Sequence, residues 1–173
     1  FLLFLCIMIL GFLTLDHVKF RIKNFLLPGI GDNYQISKSL ESFSNGGLMG
    51  KGIGNGYFSK NLPDAHSDFI FALIGEEMGF IIALFILILY MVIFLRIYLL
   101  CRKTRNFFVL TSLTGLSNIL MFQTIINIST SLNLLPTKGM TLPFISYGGS
   151  SLISNSILIG FILVLIKSKN SNE

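Results

Sequence analysis

The sequence predicts an all-α fold: a polytopic integral membrane helical bundle with a long extracytoplasmic loop. Three observations lead there. Apolar residues make up 53% of the 173-residue chain against 12% charged, with a mean hydropathy of +0.77, far above the mix of a soluble domain. Apolar runs of near-span length alternate with stretches rich in glycine, proline and charge. The basic excess of +5 is scattered among those runs and builds no stripe of the kind that follows phosphates, which excludes nucleic acid as a partner.

The first run, Phe1 to Leu15, is about 22 Å of helix, short of the roughly 30 Å of a hydrocarbon core. It has no initiating methionine, basic n-region or small-residue cleavage site, so it is read as a truncated span rather than a signal peptide, and the chain is expected to begin partway through a helix. The second run covers Phe69 to Leu100, and its segment Met78 to Leu95 is free of charge. The third, Phe107 to Leu132, is more polar: Ser112, Gln123, Asn127 and Thr130 fall within an arc of about 60° on a helical wheel, a face that should point into a bundle. The fourth is Ser150 to Ile166. Cys6 and Cys101 are expected about a membrane thickness apart, which excludes a disulfide, and no zinc-binding pattern is present.

Orientation follows from parity and charge. The connection Cys101 to Asn106 and the tail beyond Ile166 share a side and carry five Lys or Arg, which reads as cytoplasmic. The loops Asp16 to Ser67 and Asn133 to Gly149 then face outward. Lys19, Arg21 and Lys23 break the positive-inside expectation; an anionic lipid substrate on the outer face supplies one cause, an interfacial anchor an equal one.

In the long loop, Ile36, Leu40 and Phe43 recur at helical spacing over residues 34–43, predicting a short amphipathic helix on the bilayer surface. The stretch GGLMGKGIGNG, Gly46 to Gly56, holds six glycines in eleven residues but no phosphate-loop pattern. It is either a turn-rich loop or a backbone that must approach a ligand closely. The later loop, LLPTKGMTLPFISYGGSS from Leu134 to Ser151, is barred from continuous helix by two prolines and three glycines. Its one charge, Lys138, is a snorkelling anchor or the counter-charge of a lipid diphosphate.

Between them lies LPDAHSDFIFALIGEEMG, Leu62 to Gly79, which concentrates four of the chain's eight acidic residues. Together with GKGIGNG upstream and LPTKGMTLPFISYGGSS downstream, it resembles the C-terminal half of the SEDS family (shape, elongation, division, sporulation) of polytopic peptidoglycan glycosyltransferases. The likeness runs from about Tyr34 to Ile166, in the family's order and spacing. Thr137 and Lys138 look more like the cell-division branch, FtsW, than the rod-shape branch, RodA; Asn133 departs from the small residue or arginine usual there.

The resemblance implies a bundle of about ten spans, of which this chain supplies the last four. It implies polymerisation of lipid II, in which the 4-hydroxyl of one sugar attacks the anomeric carbon of a growing chain and undecaprenyl diphosphate leaves. It also implies a class B penicillin-binding protein and other divisome membrane proteins as partners. Asp68 matches the family's catalytic acidic residue, where a carboxylate taking the hydroxyl proton is worth about 10² to 10⁴ in rate. Read from the residues alone, an Asp before an apolar helix is an N-cap. His66, Lys138, Ser146, Gly148, Gly149 and Ser150 are the expected substrate-binding residues, joined by Lys19, Arg21 and Lys23. Asp64 and His66 alternate with Asp68 if the stretch is extended; Asp64 and Asp68 align at i, i+4 if it is helical, and their oxygens suit Mg²⁺ or Mn²⁺. Glu76 and Glu77 are read as bundle contacts first and cavity lining second.

Two readings from other classes stand beside this one. A transporter that flips a lipid-linked precursor would place ionisable groups near the midplane of its spans, whereas here they cluster outside. A non-catalytic division scaffold leaves the acidic cluster unexplained. The isolated chain, with the polar face of its third run uncovered, is expected to be inactive without an N-terminal half.

Overall fold

The computed structural model describes residues 14–16, 18–20, 34–102, 104–136 and 138–171. The first run up to residue 13, with Cys6, lies outside the described residues, as do Arg21 and Lys23. Among the described residues all regular structure is helical: α1 (Tyr34–Gly46), a 3-10 turn (Ser59–Asn61), α2 (Ile70–Glu77), α3 (Gly79–Arg102), α4 (Phe107–Ser131) and α5 (Gly149–Ser171). Three of these helices are long and apolar enough to cross a membrane: α3, α4 and residues Gly149–Lys167 of α5. Asn106 starts α4 by accepting the amide protons of Phe108 and Val109 on its side-chain oxygen.

The second apolar run is not one helix. It divides at Gly79, whose φ of +85° lies in the left-handed region, so the short α2 ends at Glu77 and α3 starts as a separate helix. A β-carbon on Gly79 would stand 2.4 Å from the amide nitrogen of Gly50, because the glycine-rich loop is pressed against this joint. That loop is not slack. The Lys51 and Gly52 amides donate to the carbonyls of Glu76 and Glu77, and the Phe80 amide donates back to Gly47 at 2.9 Å. The close approach that glycine permits is made to the protein's own helix joint.

α1 forms where the apolar spacing predicts a helix, and small residues make its closest contact with the protein. Ser39, Ser42 and Gly46 are buried, whereas Leu40 is exposed. The small residues let α1 close on α2, where a β-carbon on Gly46 would lie 2.0 Å from the Gly75 carbonyl oxygen, and the Ser39 hydroxyl donates to Ser131 O at the end of α4. Phe43 closes the other side by packing its ring on Phe71.

Between α4 and α5 the chain turns back into the bundle. Leu142 and Pro143 are fully buried, the Gln123 amide donates to Thr141 O, and the Tyr90 hydroxyl donates to Pro143 O. Gln123 lies eight residues before the end of α4, so this segment descends about 12 Å below the helix terminus. Non-helical backbone at such depth is tolerated only when protein groups satisfy it, and the polar face of α4 supplies them. Gln123 and Asn127 thus bond a re-entrant loop, where the wheel alone suggested a neighbouring helix.

At the far end, Ile97, Cys101, Val109, Leu113, Leu120 and Ile162 pack α3, α4 and α5 together. The two ends of the bundle therefore differ: the basic connection from Arg102 to Asn106 closes one, and the acidic turn and re-entrant loop meet at the other.

Candidate active site

The acidic stretch folds as a tight turn. Asp64 takes a φ of +56°, and its carbonyl accepts the amide protons of Ser67 and Asp68, the second at 2.9 Å. This helical pitch excludes the extended alternative and leaves Asp64 and Asp68 on one side of the turn. Leu62, Ala65, Phe69 and Ala72 form a small buried cluster that anchors it from below.

Three successive carbonyls of the turn are held from outside. His66 O accepts the Tyr147 amide proton at 2.8 Å, Ser67 O accepts the Ser146 hydroxyl at 2.5 Å, and Asp68 O accepts the Asn127 amide at 2.9 Å. The backbone of Asp68 is consequently fixed by the re-entrant loop and α4 together. Its carboxylate is left out of this network. Phe69, not Asp68, occupies the N-cap position of α2, and no side-chain cap bond forms there. Partial burial, and then the negative charge of Asp64, hold the Asp68 carboxyl above the ordinary carboxylate range.

The carboxylate opens into a cavity of about 330 Å³ lined by Gln35, Asp64, Asp68, Phe69, Thr130, Lys138 and Gly139. Lys138 is exposed and forms no ion pair with either acid; among the described residues the ion pairs are Lys19 with Asp16 and Lys38 with Glu41. Two carboxylates and one ammonium thus share a solvated pocket with their charges unneutralised. Such a pocket offers a base, a counter-charge for an anion, and hydroxyl or amide groups for a polyol.

The structure brings together only part of the expected set. Asp64, Asp68 and Lys138 meet in the pocket. His66 is exposed and joins through its backbone carbonyl. Ser146 is buried, its hydroxyl donating to Ser67 O while accepting the Leu142 amide proton at 2.7 Å, so it braces the site from behind. Gly148 supplies the carbonyl that begins α5, bonded to the Leu152 amide, and Gly149 and Ser150 are exposed in its first turn. Lys19 pairs with Asp16 at 3.4 Å. Gln35 and Gly139 are lining residues with no local pattern to reveal them, whereas Thr130 lies on the inward polar arc of α4; folding brings α1, α4 and the re-entrant loop to one place. Among the described residues no group of three or more His, Cys, Asp or Glu is placed to hold a metal ion. Asp64 and Asp68 alone suit the mode in which Mg²⁺ takes one or two carboxylates and completes its shell from substrate phosphates and water.

Glu76 is the second acid whose place explains it. It is fully buried, and its Oε1 accepts the Asn45 amide at 2.7 Å and the backbone amides of Tyr57 and Phe58 at 2.9 and 3.1 Å. It is a contact within the bundle, on the side of the glycine-rich loop.

The family model described as cell cycle protein, FtsW/RodA/SpoVE, matches residues 1–171. The chain belongs to the FtsW/RodA/SpoVE family. Among curated members it is 38% identical over 154 residues to the probable peptidoglycan glycosyltransferase FtsW of Caulobacter vibrioides, covering 89% of this chain and 40% of that one. It is 44% identical over 150 residues to the FtsW of Coxiella burnetii (83% and 40% covered), and 38% identical over 157 residues to the peptidoglycan glycosyltransferase RodA of Mycobacterium bovis (89% and 33%). A FtsW/RodA/SpoVE chain of this length spans about two fifths of the curated relatives it matches. In solved structures, its fold matches a chain from work on polymerization and crosslinking by a peptidoglycan synthase complex, with a TM-score of 0.67, 25% identity, and 95% and 49% of the two chains covered. It also matches a mutant of the rod shape determining protein RodA of Thermus thermophilus, with a TM-score of 0.57, 33% identity, and 60% and 35% covered.

Proposed function

We propose that this chain carries the catalytic pocket of a peptidoglycan glycosyltransferase that polymerises lipid II during septal wall synthesis, with Asp68 as general base. The observation that carries this reading is the Asp68 carboxylate: pinned by its backbone, outside the N-cap, and held above the usual carboxylate range beside an unpaired lysine. A raised carboxyl is a better proton acceptor near neutral pH than an ordinary one. The 4-hydroxyl of the acceptor sugar loses its proton to Asp68 as its oxygen bonds the anomeric carbon of the donor. The bond from that carbon to the diphosphate oxygen breaks, and undecaprenyl diphosphate departs with the electron pair. Lys138 offers its ammonium to the anionic leaving group.

Mg²⁺ or Mn²⁺ held by Asp64 and Asp68 would steady the charge of that diphosphate. The division role follows the FtsW relatives and the Thr137–Lys138 pair. A class B penicillin-binding protein is the natural partner, in keeping with the synthase complex whose chain shares this fold. The pocket lies at the end of the bundle opposite the basic connection, which suits an outer-face reaction on the bacterial inner membrane with a cytoplasmic C-terminus. The same placement disfavours a transporter, because the pocket acids sit at helix ends rather than at the midplane.

The test uses a polypeptide carrying the family's full set of spans, reconstituted with its penicillin-binding partner and lipid II. Wild type should make glycan polymer and Asp68→Asn should not. Polymer from both proteins would demote Asp68 to a structural residue, and movement of lipid II across the bilayer without polymer would favour transport.

A further inference from the structure

We propose that Asn127 is a positioning residue of the reaction, one amide group that sets the acidic turn and the re-entrant loop in register around Asp68. This deepens the glycosyltransferase reading and rests on it. Asn127 is fully buried on α4, and both protons of its side-chain amide go to carbonyls of different segments: Asp68 O at 2.9 Å and Met140 O at 2.5 Å. The acceptors fix the amide's orientation, since its oxygen could bond neither carbonyl. Oδ1 accordingly faces away, without a partner among the described residues. Thr130 and Ser131 donate to the Asn127 backbone carbonyl, which stiffens the turn of α4 that carries the amide.

The two carbonyls belong to the segments that bear the chemistry. One is Asp68's own; the other is next to Gly139, where a β-carbon would lie 3.2 Å from the Asp68 carboxylate, and two residues from Lys138. Without the amide, two partly buried carbonyls lose their donor. The two segments, still joined at His66–Tyr147 and Ser67–Ser146, then loosen at Asp68 itself, so the carboxylate loses its fixed place relative to Lys138. The titratable groups around the pocket are Asp64 and Asp68 on the turn and Lys138 on the loop, while α1 and α4 present Gln35 and Thr130. Gln123 is the natural control. It ties the same loop to α4 through Thr141 at 3.0 Å, one turn deeper, and does not bond the acidic turn.

The experiment compares wild type, Asn127→Leu, Asn127→Ser and Gln123→Leu in the reconstituted protein with all its spans. Hydrogen exchange of the turn amides Ser67 to Phe69 reports how firmly the turn is held, and polymerisation of lipid II is measured alongside. Asn127→Leu should speed that exchange by about 10-fold and cut kcat by about 10- to 100-fold with KM little changed, as a misplaced base does. Asn127→Ser, which keeps a donor, should recover part of both, and it carries the test should the leucine variant fail to fold. Gln123→Leu should leave the exchange of the turn unchanged. Unchanged exchange in both Asn127 variants, or an equal rise in Gln123→Leu, would overturn the proposal. A wild type whose turn responds to Asn127→Leu as described yet makes no polymer would sink the glycosyltransferase reading alone.

Discussion

A β-carbon on Gly139 would lie 3.2 Å from Oδ2 of Asp68, so a side chain at this point of the re-entrant loop would push the carboxylate aside by a few tenths of an ångström. Gly139 also holds a φ of +62°, which a residue with a β-carbon adopts at a cost of about 1 kcal/mol or more. Gly139→Ala should therefore lower thermal stability slightly and polymerisation about tenfold, because the methyl group displaces either the carboxylate or Lys138 beside it. Equal rates for the variant and wild type, at matched protein levels, would show that the loop does not govern the carboxylate.

The raised Asp68 carboxyl makes two pH predictions of opposite sign. A general base works ionised, so polymerisation should rise with pH through a midpoint above the ordinary carboxylate range. Asp64→Asn removes the second cause of that elevation while burial, the first, remains, so the acid limb should move down without reaching the ordinary value. Stability runs the other way. The folded state holds the Asp68 proton more tightly than the unfolded chain, which titrates near 3.8, so this contribution is largest below that pH, declines as pH rises toward the folded midpoint, and stays lower beyond it. Asp68→Asn should then melt above wild type at neutral pH and approach it in acid, a difference readable by thermal unfolding in detergent micelles.

Glu76 supports the opposite flank. Glu76→Ala takes the acceptor from Asn45 and from two backbone amides of the loop after the glycines, and hydrogen bonds to a charged group contribute about 1.5–3 kcal/mol each. A loss of about 3 kcal/mol or more is expected, with new protease cleavage between Leu48 and Phe58. Glu76→Gln keeps an oxygen in place and should lose less. Cleavage of the loop at the wild-type rate in Glu76→Ala would mean that the carboxylate is not its anchor.

How much of this the sequence discloses depends on whether a feature is local. Membrane-length helices are legible because each carries its own apolar run, and Asp68 is legible because its motif is contiguous. The polar arc of α4 correctly marks Gln123 and Asn127 as inward-facing, but periodicity gives direction and not destination, and the destination is a loop 13 and 18 residues further on. The split at Gly79 is marked only by Glu76, Glu77 and the glycine itself, which interrupt a run otherwise apolar enough to read as one helix. In α1 the apolar spacing marks the helix but not its closest protein contact: helices that touch backbone to backbone need small residues, so Ser39, Ser42 and Gly46 are buried while Phe43 packs beside them. Thr130 shares the inward arc of α4, whereas Gln35 joins the pocket only through tertiary folding.

Neighbouring glycines give the sharpest test of this packing. Gly46 ends α1 with ordinary backbone angles, but a β-carbon there would stand 2.0 Å from the Gly75 carbonyl oxygen and 2.7 Å from the α-carbon of Glu76. All the nearest atoms are backbone, which cannot rotate away, so Gly46→Ala must pry α1 from α2. Gly47 is the reverse case: its φ is +59°, and nothing lies within 4 Å of the added carbon. Gly47→Ala should cost about 1 kcal/mol of strain and leave the contact intact. Gly46→Ala should cost several times more, on the scale of about 2–4 kcal/mol seen for overpacked or disrupted cores. It should also lower polymerisation, since α1 carries Gln35 into the pocket and is tied by Ser39 to the end of α4. Thermal unfolding and polymerisation of the two variants side by side decide the point. Equal penalties would mean that conformational strain, not the fit of α1 against α2, dominates this corner of the fold.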